Sequence, residues 1–217
     1  VDGIVNDVSS AFLNFDYYYK QIELANDVVY AECYDAEWQE AKQLIYAPNV
    51  DGIVIEEKTT QIISGAFKNC TNLTSIKIPA SVTEIQTDAF AGCTNLKTII
   101  LCFGSNLNLG FGSTGNGCVA QYAEAIYQEN EYGMLTLVDV KESVSDGFTI
   151  FKNTKVIGSN AFENCTNLTS ITIPISVTTI EAGAFIGCTN IQEFNIIVYK
   201  YFFIIDEQLS LISFFIF

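Results

Sequence analysis

The sequence predicts a solenoid, mainly β or α/β in class, with about six coils of 23 residues and a parallel sheet along one face. The first observation is a recurring phrase, which reads GAFKNCTNL at Gly65. The second is its spacing, because Phe67 and Phe90 are 23 residues apart and Phe162 and Phe185 repeat that interval. The third is an alternating apolar segment that closes every copy. A fixed period of this length indicates stacked repeats.

Within one coil the apolar positions are fixed, and they are Phe67, Cys70, Leu73, Ile76, Ile78, Val82 and Ile85. Ile76 and Ile78 alternate as inward residues of a strand do, which leaves Lys77 facing outward. Pro79 lacks the amide that a ladder needs and is expected to end the strand. One coil cannot bury its own inward face, so the coils must stack into a parallel sheet.

The two alternating apolar positions of that strand occur six times along the chain. They are Ile53 and Ile55, Ile76 and Ile78, Ile99 and Leu101, Phe148 and Ile150, Ile171 and Ile173, and Phe194 and Ile196. These copies define two repeat blocks, at 51–101 and 146–197. The chain is therefore expected to hold two similar arrays.

The segment 102–145 between the blocks is predicted to be an insertion. It reads as a Gly- and Asn-rich loop, a helix over CVAQYAEAIYQEN and a strand over MLTLVDV. Because Leu101 and Ile150 are 49 residues apart, two degenerate coils with an inserted helix are an alternative interpretation.

Residues 1–50 are predicted to be an N-terminal cap or degenerate repeats with a short helix. That helix starts at Asp35, a good capping residue, and places Trp38, Ala41, Leu44 and Ile45 on one face. Residues 198–217 are expected to form a degenerate C-terminal coil, although a truncated or aberrant end would also explain the loss of pattern. Lys200, Asp206 and Glu207 divide this apolar tail, so a membrane-spanning segment is not predicted.

The charge balance excludes several classes of function. The net charge is −15, from 25 acidic and 10 basic residues, and every basic residue is a lysine. Nucleic-acid binding needs a basic face, so it is not expected. No histidine is present, which removes the commonest general base and transition-metal ligand. No signal peptide is predicted within the first 20 residues.

Three further motifs resemble functional sites but have simpler structural explanations. Gly110 to Gly115 fits G-x-G-x-x-G, but no strand leads directly into it, so a surface loop is predicted instead of a nucleotide site. Cys70, Cys93, Cys165 and Cys188 share one slot of the coil, which predicts a ladder of buried free thiols. Asn72 and its equivalents are expected to bond the turn backbone and not to carry glycans.

The unit A-F-x-x-C-T-N-L-x-x-I-x-I-P-x-S-V-T-x-I resembles the BspA-like, or type 5, leucine-rich repeat. The resemblance covers residues 51–101 and 146–196 and implies a leucine-rich-repeat solenoid. It also implies a surface-associated adhesion or recognition protein, usually without catalytic residues. No catalytic, cofactor-binding or metal-binding residue is therefore predicted, and the chain is not expected to be an enzyme.

The strand alternation predicts one continuous outward face that binds a protein or glycan partner. Its residues are Thr74, Ser75, Lys77, Lys97, Thr98, Ile100, Thr169, Ser170, Thr172, Gln192, Glu193 and Asn195. The alternative is that these side chains are only solvated strand positions. A cell-surface or secreted adhesion module is the first functional expectation, and an intracellular scaffold for protein–protein interaction is the alternative.

Overall fold

The computed structural model describes residues 18–25, 27–34, 38–107, 109, 123–144 and 146–197. The chain divides into two compact units, residues 1–133 and 134–217. Each unit is a short stack of β coils. Within the described ranges all regular elements are strands, and no helix is present.

The first unit contains two sheets. Its strands are β1 (Tyr18–Ala25), β2 (Val28–Tyr34), β3 (Glu40–Tyr46), β4 (Gln61–Ile62), β5 (Ser75–Ile78), β6 (Glu84–Ile85), β7 (Thr98–Leu101) and β8 (Ala125–Glu129). β1, β2 and β3 form an antiparallel meander, and β4 and β6 continue its sheet in parallel pairing from β3. The second sheet pairs β5, β7 and β8 in parallel.

The second unit also contains two groups of paired strands, and the described pairings there are all parallel. Its strands are β9 (Leu135–Val140), β10 (Phe148–Thr149), β11 (Thr154–Ile157), β12 (Ser170–Pro174), β13 (Thr179–Ile180) and β14 (Glu193–Ile197). β10, β12 and β14 form one parallel ladder, and β9, β11 and β13 form another. A coil therefore contributes one strand to each of two parallel ladders.

One ladder of each unit confirms the strands predicted from the alternating apolar positions, with β5 and β7 in the first unit and β10, β12 and β14 in the second. Ile76 and Ile78 are buried, and Lys77 between them is exposed. The earliest copy, Ile53 to Ile55, is reduced to a single bridge from Val54 to Lys77. The strand predicted over MLTLVDV is also present, as β9.

The second ladder was not predicted, although its apolar residues were. Its strands β6 and β13 lie in the V-T-x-I segments that follow Pro79 and Pro174, and β4, β6 and β13 are each two residues long. So short a strand shows no alternation of its own. The sequence prediction of a sheet along one face is therefore incomplete.

Stacked side chains fill the interior between the ladders. The Phe67 and Phe90 rings stack with centroids 4.5 Å apart, and Phe162 and Phe185 stack at 4.9 Å. The leucine slot of the coil is buried at Leu73, Leu96 and Leu168, as predicted. Ile191 in the same slot is only half-buried.

Both predicted helices are wrong within the described residues. The helix expected from Asp35 is replaced by β3, in which residues 42–45 are all buried. A strand covered on both faces loses its alternation, so its apolar pattern also fits a helix. The helix expected over residues 118–130 is replaced by β8, because parallel hydrogen bonding to β7 overrides the helical propensity of this alanine-rich segment.

Candidate interaction surface

The exposed face of the first unit, called face one here, is formed by Thr74, Ser75, Lys77, Lys97, Thr98 and Ile100. The parallel register places Ser75 beside Thr98 and Lys77 beside Ile100. Their side chains are exposed or half-buried, whereas the intervening Ile76 and Ile99 are buried. Face one therefore consists of outward side chains on hydrogen-bonded strands.

Lys77 is not an isolated cation on face one. Its Nζ lies 2.8 Å from Oε1 of Glu129, which is in β8. The hydrogen bond to Glu129 raises the pKa of Lys77, so the amine stays charged at neutral pH. Half of the lysine side chain remains exposed, which makes this a surface ion pair that contributes about 0 to 1 kcal/mol.

The second unit presents the equivalent face two, formed by Thr169, Ser170, Thr172, Gln192, Glu193 and Asn195. The register places Ser170 beside Glu193 and Thr172 beside Asn195. Thr149 of β10 extends this row on the other side of Thr172. The face is rich in hydroxyl and amide groups, which can donate and accept hydrogen bonds.

An aspartate one coil earlier holds the start of each face. Asp51 accepts hydrogen bonds from the Thr74 amide at 3.0 Å and the Thr74 hydroxyl at 2.7 Å. Asp146 accepts from the Thr169 amide at 3.2 Å and the Ser170 amide at 2.7 Å. Hydrogen bonds hold the pKa of each carboxyl below its usual range. The largest contribution comes from the Thr74 amide for Asp51 and from Thr169 for Asp146.

Sequence reasoning missed three residues of these faces. Val54 is 72% exposed and lies beside Lys77, and the alternation of Ile53 and Ile55 was the signal that could have found it. The alternation of Phe148 and Ile150 likewise places Thr149 at an outward position. Glu129 had no such signal, because its segment lacks the repeat pattern and was predicted to be helical.

The shared cysteine slot holds free thiols, as predicted; Cys70, Cys93 and Cys165 are buried, whereas Cys188 is only partly buried. Cys93 donates to the Phe67 carbonyl at 3.0 Å, and Cys188 donates to the Phe162 carbonyl at 2.9 Å. The hydrogen bond with Cys70, reinforced by burial, raises the pKa of Cys93. These thiols are therefore packing groups.

The asparagine of the turn bonds the backbone of the preceding coil, as predicted. Asn72 donates to the Asn49 carbonyl at 3.0 Å, Asn95 to the Thr71 carbonyl at 2.8 Å and Asn190 to the Thr166 carbonyl at 2.8 Å.

The G-x-G-x-x-G segment from Gly110, Cys118 and the tail 198–217 lie outside the described residues. In the described part of the chain, no group of three or more acidic or cysteine side chains could hold a metal ion, and no helix could cross a membrane.

In the comparison with protein families, the chain matches the BspA type leucine rich repeat region. Six copies of it cover residues 42–110 and 142–214. The count agrees with the six pairs of alternating apolar positions in the sequence. No curated protein matches the chain.

Among solved structures, a leucine rich cell surface protein of Faecalibacterium prausnitzii is 30% identical over 65% of this chain, with a TM-score of 0.35. The chain spans 34% of that protein's length. The T. pallidum leucine rich repeat protein is 19% identical over 81% of this chain and 78% of its own, with a TM-score of 0.30. A leucine-rich repeat protein of Bacteroides ovatus is 24% identical over 85% of this chain and 40% of its own, with a TM-score of 0.27.

Proposed function

The chain belongs to the BspA-type leucine-rich repeat family, and on that premise we propose that it is a non-catalytic recognition module that binds a partner protein through faces one and two. The observation that supports this proposal is the register of the strands that carry the two faces, β5 with β7 and β12 with β14. It lines up small polar side chains on rigid strands whose backbone groups are already paired within the sheet. Such a surface needs little ordering before it binds, which favours affinity.

The side chains of the two faces suit hydrogen bonding more than apolar burial. Face two carries hydroxyl, amide and carboxylate groups, and face one carries hydroxyls, two lysines and Ile100. A protein surface supplies matching donors and acceptors, and interfaces use about one hydrogen bond per 100–200 Å². The net charge of −15 makes a polyanionic partner unfavourable, so we propose no role in nucleic-acid binding.

Lys77 and Lys97 are the basic groups of face one, and they set the sign of its charge against an acidic chain. We expect them to meet carboxylates of the partner. Rim charges of this kind affect the association rate and the salt dependence of binding more than the packing of the interface.

The double variant Lys77→Glu/Lys97→Glu tests the proposal. We expect it to raise Kd for the partner about tenfold, from two exposed charge pairs of about 0.5 to 1 kcal/mol each. Urea unfolding should change by about 1 kcal/mol or less, the contribution of the ion pair to Glu129.

The matched control is Lys68→Glu/Lys152→Glu, which changes the net charge equally at exposed positions outside both faces. If this control weakens binding as much as the face variant, the effect is general repulsion and the proposed surface is wrong. Binding of a purified glycan with no protein component would instead contradict the proposed partner class.

We further propose that the module acts at the cell surface, the location stated for the Faecalibacterium prausnitzii protein. The free thiols favour a second candidate, an intracellular scaffold, because reducing compartments maintain thiols. Protease treatment of intact cells, followed by detection of the chain, separates the two. Digestion before lysis supports the surface module, and protection until lysis supports the scaffold.

A further inference from the structure

The antiparallel pair β2 and β3 carries aromatic and charged side chains along one face. Residues directly opposite in an antiparallel pair share a face, and the register places Tyr30 opposite Leu44, Glu32 opposite Lys42 and Tyr34 opposite Glu40. Tyr30 and Leu44 are fully buried, while Tyr34 is half-buried and Glu40 is exposed. The face therefore runs from the core to the surface.

At the inner end of this face, the protein binds one of its own cations. The Nζ of Lys42 lies 4.8 Å from the centroid of the Tyr30 ring and 2.7 Å from Glu23 Oε2, and it also pairs with Glu56. Burial lowers the pKa of Lys42, but the hydrogen bonds that its ammonium donates to the two carboxylates outweigh it and the net shift is upward. An aromatic ring with flanking carboxylates thus holds an ammonium group here.

The outer end of the face has the same kinds of group, and we call Glu32, Tyr34, Trp38 and Glu40 the aromatic corner. The rings of Tyr34 and Trp38 lie 6.0 Å apart and are tilted by 45°. Trp38 is the single tryptophan of the chain, and 65% of it is exposed. Aromatic rings and carboxylates are the groups that attract a cation.

The backbone of Trp38 supports a role for this residue in binding. Its φ of 60° lies in the left-handed region, which bulky residues rarely adopt and which costs about 1 kcal/mol or more. Such strain persists where the surrounding structure requires it, and it concentrates at binding sites. The Trp38 side chain is thus held at the surface although its backbone is strained and its apolar ring is exposed to water.

We propose that the aromatic corner binds an arginine or lysine side chain of a basic segment in a partner protein. The indole of Trp38 is the strongest cation–π acceptor among the side chains, and Tyr34 supplies a second ring. Glu40 and Glu32 neutralise the bound charge. The net charge of −15 draws basic segments toward the chain before contact.

Lys58 allows a test in which a substitution is expected to strengthen binding instead of weakening it. It lines a cavity of about 260 Å³ together with Glu32, Glu40 and Lys42, so its ammonium competes with an incoming cation for the same carboxylates. Lys58→Gln is therefore expected to strengthen binding about twofold, whereas removal of either carboxylate weakens it.

The experiment uses the full chain and a hexapeptide of alternating arginine and glycine, with the citrulline form as the neutral control. Fluorescence of Trp38 reports directly on the corner because no other tryptophan is present. We expect saturable quenching by the arginine peptide and none by the citrulline peptide. By calorimetry, Trp38→Leu should lower affinity about fivefold with no change of charge. Glu40→Gln should lower it about threefold, and Glu163→Gln in the second unit by less.

Three outcomes would overturn the proposal. The first is equal affinity of Trp38→Leu and the unsubstituted chain, since binding would then reflect general attraction to an acidic protein. The second is an equal effect of Glu40→Gln and Glu163→Gln. The third is a Trp38 response to phosphatidylcholine vesicles without a response to the arginine peptide, which would make a lipid headgroup the ligand. The corner lies outside faces one and two, so the lysine variants of face one test the proposed function separately.

Discussion

Asn69 and Gly92 occupy one shared space in neighbouring coils. Asn69 adopts a left-handed φ of 61°, and its Oδ1 fills the position where a Cβ on Gly92 would stand. Gly92 has a φ of +79°, and its Cβ would also lie 3.3 Å from the Asn69 Cα. Asn164 and Gly187 repeat this relationship in the second unit. The coils therefore come in ordered pairs, with asparagine in the first coil and glycine in the next.

Gly92→Ala is expected to destabilise the first unit by more than its backbone angle alone requires. An alanine at this φ costs about 1 to 2 kcal/mol, and overlap with Asn69 adds about 1 to 3 kcal/mol. Gly52→Ala is the matched control, because Gly52 has a φ of +73° and no atom lies within 4 Å of its Cβ position. Urea unfolding measures both.

The double variant Asn69→Gly/Gly92→Ala should recover the overlap cost while keeping the backbone cost. A double-mutant cycle with no coupling between the two positions would show that the asparagine does not define the glycine site.

Leu73→Ala should lower the free energy of unfolding by about 2 to 5 kcal/mol, because it leaves a cavity in a fully buried slot. Ile191→Ala is the comparison, since Ile191 fills the same slot of the coil but is half-buried. A smaller loss is expected there. Equal losses at the two positions would contradict the assigned burial of the column, and a loss below about 0.5 kcal/mol at Leu73 would contradict its inward orientation.

The repeat could be predicted because its information is local and recurs. Ile76, Ile78 and Pro79 define a strand and its end without reference to any partner, and the alternation of two apolar positions recurs in five other copies. Asn72 and the cysteine slot were also predictable, since a residue that recurs at one position of a stacked coil must face the same neighbour in every coil.

The residues outside the repeat were not predictable in the same way. β3 and β8 form because neighbouring strands supply hydrogen-bond partners, and the segment 40–46 alone carries a helix-like pattern. Glu129 lies beside Lys77 because it belongs to β8. The partner of Lys77 in this ion pair therefore depends on a strand that the sequence did not predict. The assignment of residues 1–50 as a cap stays a prediction.

Acid should destabilise the chain through Asp51 and Asp146. Both carboxyls have a lowered pKa in the folded state, so their contribution is present above the unfolded pKa of about 4 and is lost as pH falls toward the folded value. Asp51→Asn/Asp146→Asn should therefore flatten the dependence of the urea midpoint on pH between about 5 and 2. Glu163→Gln, at an exposed turn position, is the control. An unchanged slope in the aspartate variant would show that these carboxyls do not stabilise the faces.

Site-specific crosslinking tests the binding account most directly. A photoreactive phenylalanine analogue is placed at Lys97 of face one and Asn195 of face two, and control positions are Glu84 and Thr179, which are exposed on the other ladder. With the partner protein present, we predict crosslinks from positions 97 and 195 and none from positions 84 and 179. Crosslinks from the control positions without any from the two faces would contradict the account and assign binding to the opposite ladder.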